Sequence, residues 1–207
     1  MSEAPAVTIE TLSRAKKIPT DLLRAYGVLD CPDGVLFAYR LPNGGPGRTR
    51  LRSALRGSDG CTWREFDTRP ITAYTPPEQV KFDNPFVLQI VEGESDCWTA
   101  WSLGFRAIGI PGSDQVGVLE SEHVQGIATV FIQRENIEAA NKTYPNGVAH
   151  FVAAVAARLG GIGYCGEVRV LRVPGRFSDM SDMYVDAPAA FAKRLKDAMA
   201  HSVQYSL

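Results

Sequence analysis

Residues 87–113 are VLQIVEGESDCWTAWSLGFRAIGIPGS, and this stretch decides the fold class of the chain. The stretch begins inside a continuous apolar run, FVLQIV at 86–91. Such a run is typical of a strand buried on both faces of a sheet. The next residues, 95–103, predict a helix that ends at Gly104, and RAIGI at 106–110 predicts a second strand. A strand, a helix and a further strand with short connections indicate a parallel sheet.

The same alternation continues to the end of the chain. ATVFI at 128–132 predicts a third strand, and apolar residues at helical spacing predict a helix over 148–159. EVRVLRV at 167–173 predicts a fourth strand, and a closing helix is expected over 187–200. We therefore expect residues 85–207 to form an α/β domain with a parallel sheet flanked by helices.

Residues 1–84 predict a separate, small α+β subdomain. Thr8 is suited to capping a first helix, and Pro19 is suited to the first turn of a second. The loop-rich stretch 68–85 contains four prolines and is expected to be a linker, which places the domain boundary at 84. Three short antiparallel strands are expected after the helices, at 35–40, 48–55 and 62–66.

Composition excludes several classes of protein. The chain has 207 residues, of which 45% are hydrophobic and 22% charged, so it can bury a core and is not a disordered chain. Its apolar runs are far shorter than the ~20 residues of a membrane helix, and its first residues lack the pattern of a secretory signal. The four cysteines and three histidines are scattered, which argues against a zinc site. We expect a cytoplasmic protein without membrane association.

Acidic side chains follow three of the predicted strands. The first strand leads into Glu92 and then GESD at 93–96. The third strand leads into QRENIE at 133–138, and the fourth leads into SDMSD at 178–182. Because the carboxyl ends of parallel strands meet at one edge of a sheet, these side chains are expected to converge there. Clustered carboxylates repel one another unless a cation compensates them, and oxygen ligands suit Mg²⁺. The alternative for any one of these positions is that the acid caps the following helix.

The residues at 87–113 also resemble the glutamate motif of a TOPRIM domain, the acidic metal-binding fold of bacterial-type primases, topoisomerases and some nucleases. The matching features are the strand, the Glu-Gly turn, the Asp four residues after the Glu, and the GIPG sequence after the second strand. More narrowly, the chain is similar to the TOPRIM domains of phage and plasmid primase or primase–helicase proteins. In those proteins, segments resembling 11–30 and 35–52 precede the motif.

The resemblance implies roles for particular residues. Glu92 would be the central, catalytic acid at the 3′-hydroxyl and a metal ligand, and Mg²⁺ or Mn²⁺ would be the cofactor. The other implied metal ligands are Asp96, Glu135, Asp179 and, as a further candidate, Asp182. The chain departs from the family in its second acidic motif, where Glu135, Asn136 and Glu138 are alternatives for the usual Asp-x-Asp pair. Ser178 also replaces the lysine that often precedes the later aspartate.

Arginines are concentrated in the predicted hairpin of the first half. Arg48, Arg50 and Arg52 alternate, so on a strand they project from one face, and Arg40 and Arg56 lie nearby. Guanidinium groups match phosphate geometry, so these five arginines are candidates for binding nucleic acid. Tyr39 and Trp63 would offer surfaces on which unpaired bases stack. The alternative is a solvated polar face on an edge strand.

These observations lead to three functional hypotheses. The first is a primase-like nucleotidyltransferase core that binds single-stranded DNA and nucleotides during replication of a phage, plasmid or other mobile element. As a replication protein, it would work with a separately encoded helicase or another partner. The second is a catalytically degenerate TOPRIM protein that binds single-stranded DNA as a replication accessory. The third is a TOPRIM nuclease, because the same acids can serve an attacking water.

Overall fold

The computed structural model describes residues 7–55, 60–136 and 147–207, with the side chains of 147–149 left aside. The chain divides into two compact units, Met1–Thr72 and Ala73–Leu207. Each unit has its own sheet and its own core, and each is described by itself below.

The division lies twelve residues before the boundary expected from the sequence at 84. Part of the proline-rich stretch belongs to the second unit, because it pairs with strands and turns there. Tyr74 forms an isolated antiparallel bridge with Gly109. The N–H of Asp83 donates a hydrogen bond to the carbonyl of Gly104 at 2.9 Å.

The first unit consists of two helices and a four-stranded antiparallel sheet. Thr8 caps the first helix, because its hydroxyl accepts a hydrogen bond from the N–H of Thr11 and the Thr11 hydroxyl accepts one from the N–H of Thr8. The strands follow one another in the order β1-β2-β3-β4. The bounds of the elements are α1 Ile9–Lys16, α2 Thr20–Ala25, β1 Val28–Cys31, β2 Gly34–Arg40, β3 Pro46–Arg52 and β4 Cys61–Trp63.

The second unit is built on a five-stranded sheet with the order β6-β5-β7-β8-β9. The first four strands in this order are parallel, and β9 is antiparallel to β8. The helices and strands are β5 Val87–Glu92, α3 Glu94–Trp101, β6 Ala107–Ile110, β7 Thr129–Arg134, α4 Gly147–Gly161, β8 Glu167–Arg172, α5 Met180–Asp186, α6 Pro188–Ala200 and β9 Val203–Gln204. Within the described ranges, no helix is long and apolar enough to cross a membrane.

Both faces of this sheet are covered, which explains why its strands are almost continuously apolar. On one face, Ile90 and Ile132 pack with Phe151 and Val155 of α4 in a single hydrophobic cluster. On the opposite face, Gln133 contacts Asp96 of α3 through a hydrogen bond. The parallel α/β domain with its flanking helices therefore agrees with the expectation from the sequence.

Three short elements were not expected from the sequence. β1 adds a fourth strand to the first sheet, and β9 adds an antiparallel edge to the second. The helix α5 begins within the stretch 178–182, which the sequence analysis treated as an acidic loop. Its length of 7 residues gives little helical periodicity, so the pattern of acids was the stronger signal.

Candidate active site

Three acidic residues from distant parts of the chain influence one another through their charges at the carboxyl edge of the second sheet. Glu92 is the last residue of β5, Glu135 directly follows β7, and Asp179 immediately precedes α5. The pKa of Glu135 is raised from its ordinary value of 4.5 to about 8, first by burial and then by the negative charges of Glu92 and Asp179. The sheet thus gathers these three carboxylates, and their mutual repulsion opposes the ionisation of Glu135.

Glu92 is held beside the loop that follows β6. It pairs in register with Ile110, the last residue of that strand. The backbone N–H of Ser113 donates a hydrogen bond to the Glu92 carboxylate, which favours the ionised form. Burial is the larger effect, and together with the negative charge of Asp114 it raises the pKa of Glu92.

The turn after Glu92 requires glycine. Gly93 has φ of 91°, in the region that other residues rarely adopt, and it precedes the first residue of α3. Gly109 on the neighbouring strand approaches the same turn closely, since a Cβ at Gly109 would lie 2.7 Å from the carbonyl oxygen of Gly93. The Glu-Gly motif therefore reflects the tight passage from β5 into α3.

Both carboxylate oxygens of Asp96, a residue of α3, accept hydrogen bonds. Asp96 is only 3% exposed. Its Oδ1 accepts a hydrogen bond from the backbone N–H of Ser181 at 2.8 Å, and its Oδ2 accepts one from Nε2 of Gln133 at 3.2 Å. The resemblance implies that Asp96 is a metal ligand, whereas nothing in the sequence indicates the role of Gln133. The strand predicted from the sequence ends at 132 and leaves Gln133 in the following acidic stretch, while the observed strand extends to Arg134.

Asp179 and Asp182 form the start of α5. Asp179 is the N-cap, and its Oδ1 accepts a hydrogen bond from the N–H of Asp182 at 2.6 Å. The exposed Asp182 carboxylate in turn accepts a hydrogen bond from the N–H of Ser178 at 3.1 Å. The helix-capping alternative thus describes what both residues do in the structure, and metal binding by either residue stays a prediction.

The second acidic motif is represented by Glu135 in the described part of the chain. Asn136 serves a different purpose: its backbone N–H donates to the carbonyl of Ser178 at 3.0 Å, and its side-chain amide donates to the carbonyl of Gly175 at 2.5 Å. These bonds tie the end of β7 to the loop before α5. Glu138, the third alternative at this motif, lies outside the described residues.

A divalent cation such as Mg²⁺ needs oxygen ligands grouped around it. Across residues 7–55, 60–136 and 147–207, no group of three or more His, Cys, Asp or Glu side chains is close enough to hold a metal ion. Mg²⁺, however, is commonly bound by one or two carboxylates, with waters and substrate phosphates as its other ligands. Burial is the main cause of the raised pKa of Glu135, and the negative charges of Glu92 and Asp179 raise it further; a cation would compensate those charges. The chemistry of Glu92, Glu135 and Asp179 therefore fits Mg²⁺ or Mn²⁺.

The arginines of β3 project together, as expected, but from the apolar face of the first sheet. Arg50 is paired with Phe37 on one side and Trp63 on the other, and paired residues of an antiparallel sheet share a face. Phe37 is fully buried, whereas Arg48, Arg50 and Arg52 are half-buried. Their aliphatic stems thus cover the core, and the Nε atom of each guanidinium group is buried with them.

This arrangement differs from the solvated edge-strand alternative, because β3 lies between β2 and β4. The Trp63 ring lies 5.9 Å from the guanidinium carbon of Arg48 and 5.2 Å from that of Arg50. Arg50 also donates a hydrogen bond to the Tyr39 hydroxyl at 3.4 Å. The aromatic side chains therefore hold the arginines in place. Arg40 is exposed at the end of β2, and Arg56 lies outside the described residues.

Of the aromatic residues proposed for base stacking, Tyr39 is excluded because it is fully buried. The structure shows a different exposed aromatic residue in this unit, Phe66, whose side chain is 90% exposed and whose φ is 64°. The turn is fixed by Asp67, which accepts hydrogen bonds from the backbone N–H of Thr49 at 2.8 Å and from the guanidinium of Arg69. Nothing in the alternation of the sequence distinguished Phe66 from a core residue.

In chain order, a small α+β unit is followed by a unit with a mainly parallel sheet flanked by helices, which is the fold class of TOPRIM-containing primase cores. Solved structures match this fold. A DnaG primase catalytic domain bound to ssDNA matches with a TM-score of 0.66 at 12% identity, over 98% of this chain and 74% of that one. A DnaG catalytic core matches with a TM-score of 0.63 at 13% identity, over 98% and 75% of the two chains. The E. coli primase catalytic core matches with a TM-score of 0.58 at 12% identity, over 95% and 74%.

No protein-family model matches the sequence, and no curated protein matches it either. At identities of 12–13% the structural matches establish the fold. The chain has the fold of the DnaG primase catalytic core, and the TOPRIM-like domain expected from the sequence is confirmed.

Proposed function

We propose that the chain is a primase-type nucleotidyltransferase core that synthesises RNA primers on single-stranded DNA and depends on Mg²⁺ or Mn²⁺. The observation that carries this proposal is the convergence of Glu92, Glu135 and Asp179 at the carboxyl edge of a sheet with the primase-core fold. In such a sheet, ligands bind at this edge.

In the proposed reaction, the 3′-oxygen of the growing strand forms a bond to the α-phosphorus of a nucleoside triphosphate. The bond from that phosphorus to the bridging oxygen breaks, and pyrophosphate leaves. The cation would neutralise the negative charge that develops on the phosphates. Glu135 and Asp179 would hold this cation, and Glu92 would accept the proton of the 3′-hydroxyl. The raised pKa of Glu92 suits this task, since a base whose pKa is closer to neutrality is better matched to proton transfer.

The first unit supplies the nucleic-acid contacts in this proposal. Arg48, Arg50 and Arg52 present three guanidinium groups in register, and Arg40 adds a fourth, exposed one on the adjacent strand. Arginine binds phosphate through paired hydrogen bonds, and single strands are bound by basic side chains combined with aromatic surfaces. We include Phe66 as the stacking residue because of its exposure. One of the matching structures is of a primase domain bound to ssDNA.

The proposal extends to the biological setting. We propose that the protein acts in replication of a phage, plasmid or other mobile element, together with a helicase. The resemblance of its glutamate motif to primases of such elements supports this setting.

Primer synthesis is the direct test. The protein is incubated with single-stranded DNA, labelled nucleoside triphosphates and either Mg²⁺ or Mn²⁺, and the oligoribonucleotides are separated by size. We expect products with the wild type and none with Glu92→Gln. The exposed Glu78→Gln variant is the matched control and should remain active. Absence of product with either metal would contradict the proposal, and shortening of the DNA would indicate a nuclease instead.

A non-catalytic role in DNA binding is the second candidate. It is favoured by the second acidic motif, where Asn136 is engaged in backbone hydrogen bonds and the described residues form no three-acid metal cluster. An accessory protein would bind single strands in a salt-sensitive manner, and Glu92→Gln would leave that binding unchanged. Primer synthesis by the wild type would rule this candidate out.

A further inference from the structure

The strongest feature that the proposed reaction does not use is the buried carboxylate of Asp96. It bonds two groups that are far apart in sequence: the Ser181 N–H, 85 residues away, and the Gln133 amide, 37 residues away. These partners lie on α5 and β7, while Asp96 itself lies on α3. A single side chain thus connects three elements of the second unit.

The bond to Ser181 has a clear physical basis. Ser181 is the second residue of α5, and the first N–H groups of a helix have no acceptor within that helix. The Asp96 carboxylate accepts one of these hydrogen bonds, and it lies at the end of the helix where backbone dipoles favour negative charge. This bond, together with the Asp179 N-cap, holds the first turn of α5.

The two partners are adjacent to the acids of the site. Gln133 is two residues before Glu135, and Ser181 is two residues after Asp179. We propose that Asp96 is a positioning residue rather than a cation ligand: through Gln133 and Ser181 it sets the segments that carry Glu135 and Asp179 relative to each other. The inference rests on the proposed function only for the chemical roles of Glu135 and Asp179, and not for their positions.

The structure offers a variant that separates the two roles. Asp96→Asn keeps one oxygen to accept the Ser181 N–H and replaces the other with an amide nitrogen. The Oε1 atom of Gln133 is buried and has no hydrogen-bond partner among the described residues. Rotation of the Gln133 amide by half a turn would therefore let this oxygen accept from the new asparagine. Asparagine preserves both hydrogen bonds, but it removes the negative charge that makes a carboxylate a much stronger ligand for Mg²⁺ or Mn²⁺ than an amide oxygen.

The first measurement is Mn²⁺ binding by isothermal titration calorimetry. We expect Asp96→Asn to bind Mn²⁺ nearly as tightly as the wild type. Asp96→Ala is expected to bind Mn²⁺ about 10–100-fold more weakly than the wild type, as is typical when a supporting partner of a metal site is lost. Glu135→Gln is the comparison variant for direct loss of a ligand. Equal weakening in Asp96→Asn and Glu135→Gln would overturn the proposal, because it would make Asp96 a ligand.

The second measurement needs no metal, so its outcome is independent of the proposed function. Backbone amide signals of residues 134–136 and 178–180 are followed by NMR in the metal-free protein. Asp96→Ala should shift both sets, whereas Asp96→Asn should leave both in place. Gln133→Met, which is close to isosteric, should shift the first set alone, and it provides the test if Asp96→Ala fails to fold. Unchanged signals in the alanine or methionine variant would refute the positioning role. If the wild type binds no Mn²⁺, the proposed metal site fails while this result still decides the role of Asp96.

Discussion

Glu135 should make the protein less stable as the pH rises, and its removal should reverse this effect. The pKa of the Glu135 carboxyl group is about 8 in the folded protein and has an ordinary value of 4.5 in an unfolded chain. Folding therefore favours the protonated form. The stability contributed by this group is fully present below pH 4.5 and is lost as the pH rises through about 8.

The magnitude follows from the two values. Linkage gives a loss of about 4 kcal/mol between pH 5 and pH 9 for one group with these pKa values. This is a large part of the roughly 5–15 kcal/mol by which most domains are stable. Glu135→Gln removes the titrating group, so the free energy of unfolding of the variant, relative to the wild type, should increase by about that amount across this range.

The assay is urea unfolding of both proteins in EDTA, at five pH values from 5 to 9. Comparing the two proteins at each pH cancels the other groups that titrate in this range. Glu78→Gln, at an exposed glutamate, serves as the control and should run parallel to the wild type. If the Glu135→Gln curve also runs parallel to the wild type, then Glu135 is not held among neighbouring negative charges, and the convergence of the three acids is refuted.

The remaining predictions concern ligands. The affinity for Mn²⁺, measured by calorimetry, should rise by up to about tenfold per pH unit between pH 6 and pH 8. The reason is that Glu135 must release its proton to bind the cation. An affinity that does not change with pH would exclude Glu135 as a ligand. Replacing Arg48 or Arg50 with Gln should weaken binding to single-stranded DNA. It should also reduce the steepness of log K against log salt concentration by about 0.7 for each lost phosphate contact. The control Arg14→Gln, on α1, should change neither the affinity nor this slope. Phe66→Ala should weaken the same binding by about 1–3 kcal/mol without affecting the salt slope, and an effect on the slope instead would argue against stacking.

The sequence determined the elements that depend on local pattern. FVLQIV predicts a buried strand because its residues are apolar on both sides, and the structure has β5 at Val87–Glu92. The alternation of Arg48, Arg50 and Arg52 required a common face, and the strand pairing confirms it. The Glu-Gly turn was also evident, because the passage from strand into helix needs a positive φ at Gly93.

Tertiary structure decided what each of these residues contacts. The resemblance to the TOPRIM motif implies that Asp96 is a metal ligand, which stays a prediction. The hydrogen-bond partners of Asp96 are Gln133 and Ser181, and only the folding of β7 and α5 against α3 brings them to it. The face on which the arginines lie depends on the pairing of β3 with β2 and β4, which the alternation within one strand does not specify. The high pKa of Glu135 likewise arises from burial beside charges contributed by segments more than 40 residues away in either direction. Local patterns report the conformation of a segment, whereas electrostatics and hydrogen bonding depend on which segments meet in space.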